Sequence, residues 1–270
     1  MGDAIYVVGG FLAPNRNTAA VERYDIAGDT WKRVRSMPLA LNHAAAVSHR
    51  GDLFVSGGYS GPRDLQAETD VLLRYDPERD RWSRLPPMPT KRAALAAGVI
   101  GGRLYAVGGV ARGNALATLE SYDFRTRRWR REPSMPTSRE HLAGTVAGAR
   151  LYALAGRASG TGNLKTVERF DPRARRWEKL PDMEKARGGI AAATVSGDRV
   201  AVFGGEESSG TIAAAELFDP ASRAWTRLPD LPTPRHGLGG VAKGNRVYAL
   251  EGGTSPGFSF SAKLEALDVR

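Results

Sequence analysis

A spacing of about 48 residues recurs along the 270-residue chain, and it constrains the fold more than any other feature of the sequence. Strands ending in a glycine pair run over Ile5 to Gly10, Leu53 to Gly58, Leu104 to Gly109, Val200 to Gly205 and Val247 to Gly253, with Leu151 to Gly156 as a variant carrying Ala155. After a variable loop comes a Tyr-Asp type strand: VERYD from Val21, LLRYD from Leu72, LESYD from Leu119, VERFD from Val167, AELFD from Ala215 and LEALD from Leu264. A tryptophan follows at Trp31, Trp82, Trp129, Trp177 and Trp225, then a turn at Met37, Met88, Met135, Met183 and Leu231. Each turn leads into small residues, as in Ala44 to Val47, Ala93 to Val99, Leu142 to Val146, Gly189 to Val195 and Gly237 to Val241.

Four short strands per repeat, separated by turn residues and lacking helical periodicity, predict a four-stranded antiparallel sheet. A single twisted sheet of this kind cannot bury both of its faces. Stacking such sheets as blades around an axis lets each cover the next, which predicts an all-β propeller. Small residues suit the crowded centre, so the small-residue strand falls innermost and the tryptophan strand outermost. The tryptophans and the aromatics of the Tyr-Asp strands then pack between blades.

The diglycine, the Glu-x-Tyr-Asp strand, the spaced tryptophan and the Met-Pro turn together closely resemble the kelch family over essentially the whole chain. The resemblance implies a six-bladed β-propeller occupying residues 1–270 as one domain, and says little about function. There are six diglycine and six Tyr-Asp strands but only five of each other type. The first and last blades are therefore expected to be incomplete, with one tryptophan strand and one small-residue strand wanting before Met1. Backbone would then lie open near Ile5 to Val8 and beside Leu264 to Val269, inviting cover by a partner chain or another copy. On this reading either Met1 is not the natural start, in which case a targeting signal could lie upstream, or the ring has a gap between its first and last blades.

Composition narrows the choices further. The chain has no cysteine, which removes disulfides, thiolate ligands and cysteine nucleophiles. It has no apolar run of about 18 residues, so no helix spans a bilayer, and it reads as soluble and cytoplasmic by default. The formal charge of +10 raises the question of polyanion binding. The densest arginine clusters, around Trp129 and before Trp177, fall on the predicted outer edges, where charge discourages strand-to-strand aggregation.

The diglycine loops and the turns into the small-residue strands emerge on one face of the disc. Four residues after the Met or Leu of the turn stand Arg92, Arg139, Arg187 and Arg235, with Leu41 in the first repeat. Four guanidiniums at the channel mouth would suit carboxylates, phosphates or acidic peptides through charge-assisted bonds; the competing reading has each arginine cap blade backbone. The resemblance to adaptor-type kelch domains that hold acidic peptides implies a hydroxyl just before the Tyr-Asp strand. Thr118 and Thr166 match it, whereas Ala20, Val71, Ala214 and Lys263 do not. Tyr59, Arg63, Arg112, Arg157 and Glu206 add variable loop groups to the same face.

Glu22, Glu120, Glu168, Glu216 and Glu265 recur too regularly for catalysis, which needs a carboxylate once or twice, and read as structural. His43, His141 and His236 lie near the starts of small-residue strands, but in blades that alternate and with no carboxylate evident at their level, which argues against a metal. The leading expectation is thus a non-catalytic module that uses the arginine-lined face and channel mouth, without a cofactor or metal, to bind a protein, an acidic peptide or an acidic glycan. Two alternatives remain. Some kelch propellers are sugar-active enzymes; the copper radical oxidase type needs a cysteine and is excluded, while the sialic acid epimerase type is not. Nonspecific nucleic-acid binding ranks last, because few aromatic platforms accompany the basic charge.

Overall fold

The computed structural model describes residues 1–62 and 65–270; Arg63 lies outside the described residues. It is an all-β, six-bladed propeller, and apart from one 3-10 turn at Ser196–Asp198 its regular elements are strands. None of its helices is long and apolar enough to cross a membrane.

The second to fifth blades are four-stranded, each running from the small-residue strand outward. In the third blade the order is Ala96–Ile100, Arg103–Val107, Leu119–Asp123 and Arg128–Arg131, every neighbour antiparallel. The first blade has three strands, Ala4–Val8, Val21–Asp25 and Thr30–Arg33. The sixth also has three, Gly239–Lys243, Arg246–Leu250 and Leu264–Asp268. The first blade thus has no small-residue strand and the sixth no tryptophan strand among the described residues, the positions the repeat count singles out.

Burial follows from this stacking. A diglycine strand sits between two blades, so both its faces are covered; Leu104, Tyr105, Ala106 and Val107 are all buried. The aromatic of the Tyr-Asp strand lies against its own tryptophan, with ring centroids 5.3 Å apart for Tyr122 and Trp129 and 5.0 Å for Phe218 and Trp225. The indole N–H then reaches the preceding blade, Trp129 donating to Pro86 O at 2.8 Å and Trp177 to Pro133 O at 2.8 Å. Trp31, at the seam between first and last blades, is 43% exposed.

The first diglycine residue takes a left-handed backbone, φ +63° at Gly108, a region that disfavours side chains with a Cβ. Ala155 and Glu251 adopt it nonetheless, at φ 49° and 54°. In the last repeat the turn therefore begins at Glu251, one residue before the Gly252-Gly253 pair that the sequence pattern suggests.

Around the channel, backbone bonds pass from blade to blade. Ala94 N donates to His43 O at 2.9 Å, His141 N to Ala94 O at 2.9 Å, Gly189 N to His141 O at 2.9 Å and Gly237 N to Gly189 O at 2.7 Å. This chain starts at the second blade and stops at the sixth. At the seam, an ion pair between Lys243 and Asp3 joins the last blade to the first.

Candidate ligand-binding mouth of the channel

The four arginines expected to line the mouth do not reach it. Arg92, Arg139, Arg187 and Arg235 are each 0% exposed. Arg92 donates to Gly108 O at 3.3 Å, Thr118 O at 3.0 Å and Ala106 O at 3.1 Å, and its Nη2 meets Glu120 Oε2 at 3.0 Å. Arg139 holds Thr166 O at 2.7 Å and pairs with Glu168; Arg187 holds Ala214 O at 2.5 Å and pairs with Glu216. Arg235 takes Glu251 O at 2.8 Å, Lys263 O at 2.7 Å and Glu265 at 2.8 Å.

The physical reason is local. Where the diglycine turn leaves the blade, its first carbonyl and the one before the Tyr-Asp strand, which already accepts from the turn's own N–H (Gly108 N to Thr118 O at 3.0 Å), both lie within reach of the arginine. A guanidinium with five donors satisfies both, and the glutamate of that strand balances the charge. Burial pushes the Arg92 pKa down to about 10 against the opposing pull of Glu120. The expected positive ring is thus internal clamping, and the recurring glutamates are its counter-charges. Thr118 and Thr166 are half-buried and give these clamps their carbonyls.

The first repeat replaces the clamp with hydrocarbon. Leu41, in the arginine position, is 1% exposed, and Leu73, in the glutamate position of the second blade, is 0% exposed; both belong to one cluster with Val21, Met37, Leu53 and Val55.

Other groups converge on the mouth. Short two-stranded hairpins follow most diglycine turns, among them Phe11–Leu12 with Arg16–Asn17, Arg157–Ala158 with Gly162–Asn163, and Glu206–Glu207 with Gly210–Thr211. Their first residues lean over the channel. Arg157 pairs with Glu206, and its Nε donates to Asn163 Oδ1 at 3.2 Å. Glu206 also lies 3.3 Å from His236 Nδ1, while His236 Nε2 donates to Ser255 O at 3.0 Å. Both nitrogens of His236 thus face acceptors; burial pushes its pKa below the ordinary value, with Glu206 opposing.

Across the opening, the His43 and His141 rings meet edge to face with centroids 4.7 Å apart, although their blades are not adjacent. Glu140 bonds His141 Nδ1. Carboxylates therefore do lie at the level of the histidines, contrary to the sequence expectation. No group of three metal-capable side chains occurs among the described residues.

His43 is fixed by a side-chain relay. Asn17 Nδ2 donates to Gly61 O at 2.6 Å, Asn42 Nδ2 donates to Asn17 Oδ1 at 2.5 Å, and Asn42 Oδ1 accepts from His43 Nδ1 at 2.5 Å. That network assigns the Nδ1–H tautomer. Burial, then the nearby His141 and Arg157 charges, hold the His43 pKa well below its usual value. Tyr59 is buried with its ring 5.9 Å from His43; its phenol is pushed up to about 12 by burial and by Glu68 and Glu140.

The rim is aromatic. Phe11 meets Phe258 at 5.3 Å and Phe260 at 6.5 Å, and these two are 48% and 44% exposed. Together the rim and the polar floor border a cavity of about 640 Å³ that continues into the seam. Sequence reasoning named Tyr59, Phe11, Arg157 and Glu206 on this face and noticed the histidines, but missed Phe258 and Phe260, which join Phe11 in the rim. Its signal was three aromatics in the first and last loops, too far apart in sequence to be read as neighbours.

Six antiparallel blades around a channel, with polar groups gathered at one mouth, define a β-propeller with a built face. The chain belongs to the kelch-repeat family: the family model described as the KLHDC2/KLHL20/DRC7 Kelch-repeats domain matches residues 1–187 and 87–253. Among curated relatives, the human "Kelch repeat and BTB domain-containing protein 12" is 33% identical over 114 residues, covering 39% of this chain and 18% of that protein. The cowpox virus (strain Brighton Red) "Kelch repeat and BTB domain-containing protein 1" is 27% identical over 118 residues, covering 44% of this chain and 20% of the viral protein. The chain therefore aligns with about a fifth of the length of these relatives. A solved structure described as "Structure of YjhT" superposes with a TM-score of 0.83 over 99% of this chain and 92% of that one, at 17% identity, which reflects a shared fold.

Proposed function

We propose that residues 1–270 act as one non-catalytic interaction domain that holds a segment of a partner protein in the channel mouth. The observation that carries this reading is the cavity of about 640 Å³, with an exposed aromatic rim and a floor of oriented polar groups. A concave site with apolar walls and a few fixed hydrogen-bonding groups is what a peptide or small-molecule site requires. Kelch-repeat membership supports the same reading, since such domains typically serve as protein-interaction scaffolds.

Burial of the four arginines shifts the expected chemistry of the partner. An aromatic or branched apolar side chain against Phe258 and Phe260 is the anchor. Arg157, already paired with Glu206, supplies the contact for a carboxylate, so an acidic peptide or acidic glycan relies on it rather than on the four buried arginines. Peptides selected from a displayed library on the intact protein test this. A selected peptide should bind roughly tenfold or more weakly to a Phe258→Ser/Phe260→Ser variant, and more weakly to Arg157→Ala. Unchanged affinity on both variants, measured by calorimetry, would overturn the mouth as the site.

A further inference from the structure

The turn that joins the Tyr-Asp strand to the tryptophan strand lies at the end of each blade away from the mouth, because successive strands alternate in direction. Four residues after the strand's aspartate, this turn takes a left-handed backbone in each of the first five blades: Asp29, Asp80, Arg127, Arg175 and Arg223 have φ between 47° and 58°. Aspartate, asparagine and glycine bear that conformation most readily, so the first two blades follow the local preference and the next three do not.

Two different pairings satisfy the polar groups around this position. In the first and second blades the aspartate accepts from the aromatic of its own Tyr-Asp strand, Tyr24 OH donating to Asp29 Oδ1 at 2.7 Å and Tyr75 OH to Asp80 Oδ1 at 2.6 Å. In the fourth and fifth blades the aromatics are Phe170 and Phe218, which have no hydroxyl. There the arginine reaches a glutamate just beyond the tryptophan of the preceding blade, Arg175 meeting Glu132 at 3.3 Å and Arg223 meeting Glu178 at 2.6 Å.

The third blade has one half of each pairing and completes neither. Tyr122 is 1% exposed, and its hydroxyl oxygen is enclosed with no hydrogen-bond partner among the described residues. Arg127 is exposed and makes no ion pair among the described residues. The second blade explains why: one and three residues after Trp82, where its neighbours hold Glu178 and Glu132, it has Ser83 and Leu85. Arg125 and Arg128, flanking Arg127, are also exposed and without an ion pair among the described residues. An enclosed hydroxyl with no acceptor is destabilising, and folded proteins keep few of them. The tyrosine wants an acceptor and the arginine wants an anion; one carboxylate is both.

We propose that this turn of the third blade, on the face opposite the mouth, is a docking site for an aspartate or glutamate side chain of a partner protein, one carboxylate oxygen accepting from Tyr122 OH and the other pairing with Arg127. In the first two blades the chain's own aspartate makes the first of these contacts, and in the fourth and fifth a glutamate of the preceding blade makes the second. The exposed Arg127 side chain swings aside to admit the carboxylate and closes on it. Arg125 and Arg128 draw acidic residues on either side of the one that docks. This goes beyond the mouth reading: the two sites lie at opposite ends of the blades, and either can fail without the other.

The test is a fluorescein-labelled polyglutamate peptide with glycine-serine flanks, titrated into the full chain by anisotropy. Saturable binding is expected. Arg127→Asp and Ser83→Glu each supply the missing carboxylate from within the protein, and each should weaken the peptide about tenfold while leaving the urea midpoint at or above the parent's. Tyr122→Phe, which copies Phe170 and Phe218, removes only the hydroxyl and should weaken the peptide about threefold or more with no loss of stability. Arg16→Asp, on a hairpin at the mouth, makes the same change of net charge as Arg127→Asp and should leave the affinity unaltered. No saturable binding, indifference to Arg127→Asp or to Tyr122→Phe, or an equal loss on Arg16→Asp would overturn the proposal. Tighter binding of a single-stranded oligodeoxythymidylate that ignores Tyr122→Phe would assign this face to nucleic acid and overturn it too. Phe258→Ser/Phe260→Ser should bind the peptide as the parent does; a loss there would place the peptide at the mouth, overturning this site and leaving the mouth reading standing.

Discussion

The second blade and the third to sixth blades solve one packing problem in opposite ways. In the later blades a buried arginine and glutamate bind each other and the carbonyls of the diglycine turn; in the second, Leu41 and Leu73 occupy the corresponding positions in an apolar cluster. The architecture around them is shared, down to the strand registers. A buried ion pair is therefore not required to build a blade. What is required is that both members change together, because removing charges from water is repaid only by a matched partner.

Breaking the pair should have the largest effect. Arg139→Met leaves Glu168 buried with only the Thr137 hydroxyl, at 2.8 Å, as a side-chain donor, and should lose about 3–5 kcal/mol in urea unfolding. A loss under about 1 kcal/mol would mean that the pair is not a matched unit.

The reverse transplant comes next. Leu41→Arg alone buries a cation beside Leu73 and should cost several kcal/mol, of which adding Leu73→Glu should return a large part. A double-mutant cycle by thermal or urea unfolding measures that coupling, and additivity of the two changes would break the comparison. The smallest effect belongs to Arg92→Leu/Glu120→Leu, which gives the third blade the solution of the second. Its stability should stay within about 1.5 kcal/mol of the parent, or exceed it, while either single change falls well below.

The fold was legible because its signals are redundant. Tyr122, Trp129, Met135 and their copies each occupy one register position, and a repeated motif cannot be a local accident. The seam was legible by counting, since strand types come in unequal numbers. The direction of a side chain was not. Arg92 and Arg157 both sit on segments that lead to the mouth, yet Arg92 folds back onto Thr118 O and Glu120 while Arg157 leans over the opening to Glu206. Only the placement of the turn carbonyls separates the two, and that is a property of the assembled blade. The aromatic rim escaped notice because Phe11 and Phe258 come from opposite ends of the chain and meet only when the ring nearly closes.

Among the described residues the backbone relay from His43 to Gly237 links the second to the sixth blade and has two ends. Interior blades are gripped by neighbours on both flanks, whereas the first and sixth lean on one complete neighbour and on a cross-link between Asp3 and Lys243. In an array stabilised by nearest-neighbour contacts, cohesion is then graded from the middle outward. The terminal blades, which also carry the aromatic rim, are the ones with the most freedom to adjust to whatever they hold.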